Sequence, residues 1–165
     1  MAARRALLGE LLMTLSTVAS VLKEKEKSKL VSVVPSTSVA DAVRAMNDEN
    51  IGAVLVLDGQ KLVGIFTERD VMVRVVGAKR DPATTLVSEV MTTPVRSVEL
   101  TSRANDALRL MSDRHHRHLP VLENGQVRGL VSIGDLTRWA IRSQQEQYDM
   151  ALLAVKQMGM SNRRG

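Results

Sequence analysis

Two hydroxyl residues, each followed three positions later by an aspartate, are the groups in this chain best placed to do chemistry: Thr67 with Asp70, and Ser132 with Asp135. They sit in Gly64-Ile65-Phe66-Thr67-Glu68-Arg69-Asp70 and Gly129-Leu130-Val131-Ser132-Ile133-Gly134-Asp135, where a short apolar run gives way to polar residues. That pattern predicts a strand leading into a helix, with the hydroxyl at the helix N-cap. The spacing is that of a capping box, in which hydroxyl and carboxylate satisfy each other's backbone N–H groups. The same arrangement suits a nucleotide. A helix start presents unpaired N–H groups and the positive end of its dipole to a phosphate, the hydroxyl adds a donor, and a carboxylate accepts both hydroxyls of a ribose. Capping alone and nucleotide binding both stand as readings of these four residues.

The second cluster is His115-His116-Arg117-His118. On an extended segment His116 and His118 share one face and His115 points away, and no cysteine lies nearby in sequence, so no metal site is expected. The chain contains no cysteine. Disulfides, zinc–thiolate sites, iron–sulfur ligation and thiol nucleophiles are thereby excluded, and a reducing, cytoplasmic location is expected. No Gly-x-Ser-x-Gly elbow, phosphate loop ending in Gly-Lys-Ser or Gly-Lys-Thr, or His-Glu-x-x-His occurs, so no catalytic residues are assigned and no enzyme is expected.

The elements that must position these residues come from a repeat. Laid on itself at an offset of 65, the chain matches without gaps over residues 31–75 and 96–140. The identities include Asp41 with Asp106, Ala42 with Ala107, Met46 with Met111, Val56 with Val121, Gly64 with Gly129 and Asp70 with Asp135. Shared periodicity gives them weight. Val39, Ala42, Val43 and Met46 form one apolar helical stripe, repeated as Ala104, Ala107, Leu108 and Met111. Ser38 and Asp41 have capping-box spacing for the first of these helices. Apolar runs at 53–57 and 119–122 predict buried strands. Asp58-Gly59 and Asn124-Gly125 predict hairpin turns, and second strands follow at 62–66 and 127–131. Short β segments precede each unit, near residues 30–34 and 95–98. Each copy thus reads β-α-β-β-α, and about 60 residues bury too little surface to be stable alone, so two copies are expected to pack together.

With these motifs in place the chain resembles a tandem pair of cystathionine-β-synthase-type (CBS) domains, a Bateman module of the stand-alone kind. Two copies of G-h-h-[ST]-x-x-[DN] carry the resemblance. Ile51-Gly52-Ala53-Val54-Leu55-Val56, Arg117-His118-Leu119-Pro120-Val121-Leu122 and Glu89-Val90-Met91-Thr92 support it. It implies an α/β (α+β) fold of two β-α-β-β-α repeats packed with pseudo-twofold symmetry. The expected organisation is an N-terminal arm over 1–16, a first repeat over 17–76, a linker over 77–86, a second repeat over 87–145, and a C-terminal helix and tail over 146–165. The arm is read as poorly specified or as an amphipathic docking helix, since Glu10 interrupts its apolar stretch.

The resemblance further implies a non-catalytic sensor that binds AMP, ADP, ATP or NAD in clefts between the repeats and signals to a separate protein. Asp70 and Asp135 would grip ribose, and Thr67 and Ser132 would help hold phosphate. Arg117, His118 and His116 would face phosphate. The first copy has Ile51-Gly52-Ala53 where the second has His116-Arg117-His118, so the clefts are expected to be unequal. A homodimer formed through helices is also implied, with Val71, Val75, Leu136, Trp139 and Ala140 as candidate contacts. The alternative is a ligand-free interaction module that dimerises in that way. A C-terminal helix from Tyr148 to Met158 is expected to dock on its own module or on a partner.

Charge argues against a polyanion. The chain carries +5 at a sequence pI near 10.0. Residues 1–30 hold six basic and three acidic residues and residues 156–165 hold three basic ones, which leaves 14 basic and 15 acidic residues in the body. The excess lies in the arms, so no nucleic-acid surface is expected. Aromatic residues are only 2% of the chain, too few for a base-stacking platform. No apolar run approaches the roughly 18 residues of a spanning helix, so no membrane partner is expected.

Overall fold

The hydroxyls of Ser38, Thr67 and Ser132 each cap a helix start where the spacing requires it. The computed structural model describes residues 16–25, 30–114 and 116–161. These residues form two compact units, one of residues 30–100 and 118–130, the other of residues 16–25, 101–114, 116–117 and 131–161.

The first unit begins with β1 (Ser32–Val33), α2 (Val39–Asp48), β2 (Ala53–Asp58) and β3 (Lys61–Thr67); α1 (Val18–Glu24) belongs to the other unit. The Ser38 hydroxyl accepts from the Asp41 N–H at 3.1 Å, the expected N-cap. The sheet order is β1-β2-β3, with β1 parallel and β3 antiparallel to β2. β2 is buried on both faces, which explains an unbroken apolar run in place of alternation. Val54 and Val56 join Val39, Ala42, Met46, Phe66, Val75, Val87 and Val90 in one core. Ala53, Leu55 and Ile65 on the opposite face pack against Val95, Val127 and Leu130.

After β3 the chain enters α3, whose first turn is Glu68–Asp70 and whose remainder, Val71–Val76, is wound as a π-helix. The Gly77 N–H accordingly donates to Met72 O, five residues back, at 2.9 Å. The apolar pattern alone predicts a plain α-helix here. The segment expected as a linker is tied down. Its Thr85 and Pro82 carbonyls accept the Val39 and Ala40 N–H groups, each at 2.9 Å, and so satisfy two orphan donors at the start of α2. α4 (Val87–Val90) follows.

The second sheet has the order β4-β5-β6, built from β4 (Val98–Glu99), β5 (His118–Glu123) and β6 (Gln126–Ser132). The offset of 65 holds at the level of register: Val33 pairs with Val56, and Val98 with Val121. The two hairpin turns differ. In the second, Asn124 and Gly125 both have positive φ, 52° and 77°, as a type I′ turn requires. In the first, Asp58 is still paired with Lys61, and the turn is Gly59-Gln60 with positive φ at Gly59 only. The expected Asp58-Gly59 turn is thus shifted by one residue, because Gly59 supplies the left-handed conformation at the first central position.

In the other unit three helices pack together: α1 (Val18–Glu24), α5 (Ala104–Arg114) and α6 (Ile133–Ser161). The segment before α1 is stitched to the start of α5 by Val18 N–H to Ser102 O at 2.8 Å and Ala104 N–H to Ser16 O at 2.9 Å. Val18, Val21, Ala104, Ala107, Met111, Leu136 and Trp139 are buried. Residues 17–24, read from sequence as the start of the first repeat, therefore pack on helices of the second. α6 continues unbroken past residue 145. Tyr148, Met150 and Leu152 on it are exposed, so these side chains do not dock on the chain's own module. Residues 1–15 and 162–165, most of the expected arm and tail, lie outside the described residues.

Candidate functional site

Thr67 ends β3 with extended backbone, and its hydroxyl accepts from the Asp70 N–H at 3.3 Å. In return Asp70 Oδ2 accepts from the Thr67 N–H at 2.9 Å and the Thr67 hydroxyl at 2.7 Å. The capping box is complete. Asp70 is only 6% exposed, and further partners fix its carboxylate. Thr92 and Ile65 exchange backbone hydrogen bonds, which brings the Thr92 hydroxyl to Asp70 Oδ1 at 3.1 Å. Arg74, one turn along α3, places Nη1 3.4 Å from the same oxygen while donating to the Val90 and Met91 carbonyls. Below the box, the Glu68 N–H donates to Gly52 O at 3.1 Å.

The second box repeats the first 65 residues on. The Ser132 N–H and hydroxyl each donate to Asp135 Oδ2 at 2.8 Å, and the Asp135 N–H donates to Ser132 Oγ at 3.2 Å. The Ile133 N–H donates to Arg117 O at 2.9 Å, the counterpart of Glu68 and Gly52. The remaining partners differ. Lys25, at the C-terminal end of α1, places Nζ 2.6 Å from Asp135 Oδ2, and Arg138 donates to Oδ1 at 2.9 Å. Burial alone would raise the Asp135 carboxyl, but Lys25 and the Ser132 hydrogen bonds outweigh it and hold the group below its ordinary value. A cleft opens here, lined by Val21, Glu24, Lys25, Asp135, Arg138, Trp139 and Arg142.

Thr67 therefore meets Asp70, and Ser132 meets Asp135, as the spacing predicts. The Arg117 backbone abuts the second box and its side chain is exposed. His118 opens β5 and is half-buried. His116 is half-buried, and its Nδ1 has no hydrogen-bond partner among the described residues. His115 lies outside them. No group of three or more His, Cys, Asp or Glu residues that could hold a metal ion occurs among the described residues. Of the apolar positions expected to form a dimer face, Val75, Leu136 and Trp139 are buried within the chain, and Val71 and Ala140 are half-buried. On α3 the exposed apolar residues are Met72, Val73 and Val76.

Sequence reasoning missed Thr92, Arg74, Arg138 and Lys25. Arg74 and Arg138 stand one helical turn beyond the aspartates, a signal that the i,i+3 and i,i+4 rule makes readable. Thr92 and Lys25 carry no such local signal.

A model of the CBS domain matches residues 14–77 and 87–142. The chain belongs to the CBS-domain family. Each match contains one Gly-led motif and one capping box. Among relatives, the mitochondrial CBS-domain-containing protein CBSX3 of Arabidopsis thaliana is 34% identical over 140 residues, which are 80% of this chain and 68% of that protein. A solved CBS-domain protein from Burkholderia ambifaria is 40% identical with a TM-score of 0.75, covering 78% of this chain and 96% of the other. The crystal structure of CBSX2 in complex with AMP matches with 25% identity and a TM-score of 0.64, over 78% and 98% of the two chains. No helix among the described residues is long and apolar enough to cross a membrane.

Proposed function

We propose that this CBS pair is a non-catalytic regulatory module that binds an adenine nucleotide at its capping boxes and acts on a separate protein. The observation that carries the reading is the carboxylate locked into a capping box at the start of a helix, produced twice in the same 65-residue register. A carboxylate at a helix start offers a ribose an acceptor where the positive end of the helix dipole favours a phosphate. The CBSX2 complex supports AMP as a member of the ligand class, with ADP, ATP and NAD as the other candidates. Thr67, Asp70, Ser132 and Asp135 hold ribose and phosphate in this reading, and Arg117, His118 and His116 supply positive charge. The exposed Met72, Val73 and Val76 are the apolar surface on which a homodimer would form, in place of the buried positions expected from sequence.

Thermal unfolding with AMP, ADP, ATP and NAD added singly tests the proposal. A ligand at 100 times its Kd stabilises the fold by about 2.7 kcal/mol. At least one nucleotide is expected to raise Tm, and Asp70→Ala or Asp135→Ala to reduce that rise. If none of them moves Tm, the nucleotide reading fails.

A further inference from the structure

We propose that Lys25 is an internal stand-in for the nucleotide at Asp135, a latch that the ribose must displace and that then turns to the phosphate. The inference rests on the ribose role of Asp135 proposed above. An ionised carboxylate offers about four acceptor positions. Asp135 already meets four donors, unevenly shared: Oδ2 is crowded by the Ser132 N–H, the Ser132 hydroxyl and Lys25, and Oδ1 accepts from Arg138 with one position left. A ribose diol brings two more donors, so one of the present ones must leave. The two Ser132 donors belong to the capping box that starts α6, and losing them uncaps the helix. Lys25 comes from a different helix, on a flexible stem 27% exposed, and its departure breaks no backbone structure.

The cleft around the pair determines where the ammonium goes. Lys25, Arg138 and Arg142 face Glu24 and Asp135 there, an excess of one positive charge. Once ribose takes the carboxylate, the Lys25 ammonium is left beside the ligand with that excess, the environment a phosphate requires. The site is therefore built for a nucleotide over a nucleoside. Displacement also loosens α1. The other ion pair between α1 and α6 among the described residues, Arg142 to Glu24 at 3.3 Å, is exposed and of little strength. Occupancy at Asp135 is thereby coupled to the seating of α1. At Asp70 the basic partner is Arg74, from that box's own helix, and not a residue of α1.

The test is calorimetric titration of the full chain with AMP and with adenosine, in an Asp70→Asn background so that one cleft reports. Lys25→Met is expected to tighten adenosine at least about fivefold, the usual floor for a coupled equilibrium. AMP is expected to gain less, so the AMP preference over adenosine narrows. Lys25→Arg should behave as the parent, and Asp135→Asn should abolish the gain from Lys25→Met. Trp139, the single tryptophan and a cleft residue, gives a second readout. Its emission is expected to shift on AMP addition in the parent, and to start from the shifted value in Lys25→Met. If adenosine binds Lys25→Met and the parent equally while Asp135→Asn weakens binding, the latch is refuted and the ribose grip stands. If neither AMP nor adenosine binds the parent or Lys25→Met, the nucleotide reading of Asp135 itself falls.

Discussion

Lys25 Nζ and Asp135 Oδ2 are 110 residues apart in sequence and 2.6 Å apart in space. The ion pair joins the end of α1 to the first turn of α6, and the carboxylate is 9% exposed. Lys25 was counted with the basic N-terminal arm on sequence grounds, yet its charge is spent inside the fold.

Asp135 makes stability depend on pH. Its folded pKa lies below the ordinary value, so the unfolded chain takes up a proton first as pH falls. The contribution is fully present above about pH 3.9, the unperturbed aspartate value, and is lost as pH drops toward the folded pKa. Urea unfolding of wild type and Asp135→Asn from pH 7 to pH 3 should show a gap that is constant near neutrality and closes at the acid end. A gap that widens below pH 4 contradicts the assignment.

The two ion pairs between α1 and α6 should differ in strength. Lys25 with Asp135 is part-buried, whereas Arg142 with Glu24 is 60% and 40% exposed. Glu24→Gln is expected to cost less than about 1 kcal/mol. Lys25→Met should cost about 1–3 kcal/mol, since it strips a donor from a buried carboxylate. Chemical denaturation at low and high salt provides the comparison, with only the Glu24 effect vanishing in salt.

Gly64 cannot carry a side chain without displacing a neighbour. A Cβ there falls onto the thioether of Met91. Gly64→Ala is expected to destabilise by about 1–3 kcal/mol through overpacking, and Met91→Ala added to it should recover part of the loss. If the double variant is no better than the sum of the two single ones, the contact is not the reason for glycine at this position.

Arg74 holds the segment after α4 against α3 through the Val90 and Met91 carbonyls at 2.9 and 2.6 Å. Arg74→Ala should lower stability by about 1.5–3 kcal/mol, the range for hydrogen bonds to a charged group. It should also loosen Thr92 and with it the hydroxyl on Asp70. Hydrogen exchange at Ile65 and Thr92 will show this as faster exchange than in wild type.

Much of the fold was readable because its signals are local. The stripe at Val39, Ala42 and Met46, the turn at Asn124-Gly125 and the Thr67 to Asp70 box each require only a few consecutive residues and one periodicity. The errors arose where local preference met distant packing. The run Val71–Val76 reads as helix and is one, yet it is wound wider, with Arg74 at its middle tied to carbonyls 16 and 17 residues on. Val75, Leu136 and Trp139 look equally suited to a dimer face and to a core, since apolar character does not say which neighbour covers it.

The sequence by itself determined the repeat, its 65-residue register and the paired hydroxyl and carboxylate at each helix start. These follow from spacing along the chain, and a capping box closes within four residues whatever surrounds it. Only the tertiary structure decided what else each aspartate meets: Thr92 and Arg74 at Asp70, Arg138 and Lys25 at Asp135. The reason is physical. A buried carboxylate must be neutralised by whichever donors packing delivers, and the packing of α1 on α6 is set by Val18, Val21, Leu136 and Trp139 over more than a hundred residues of chain.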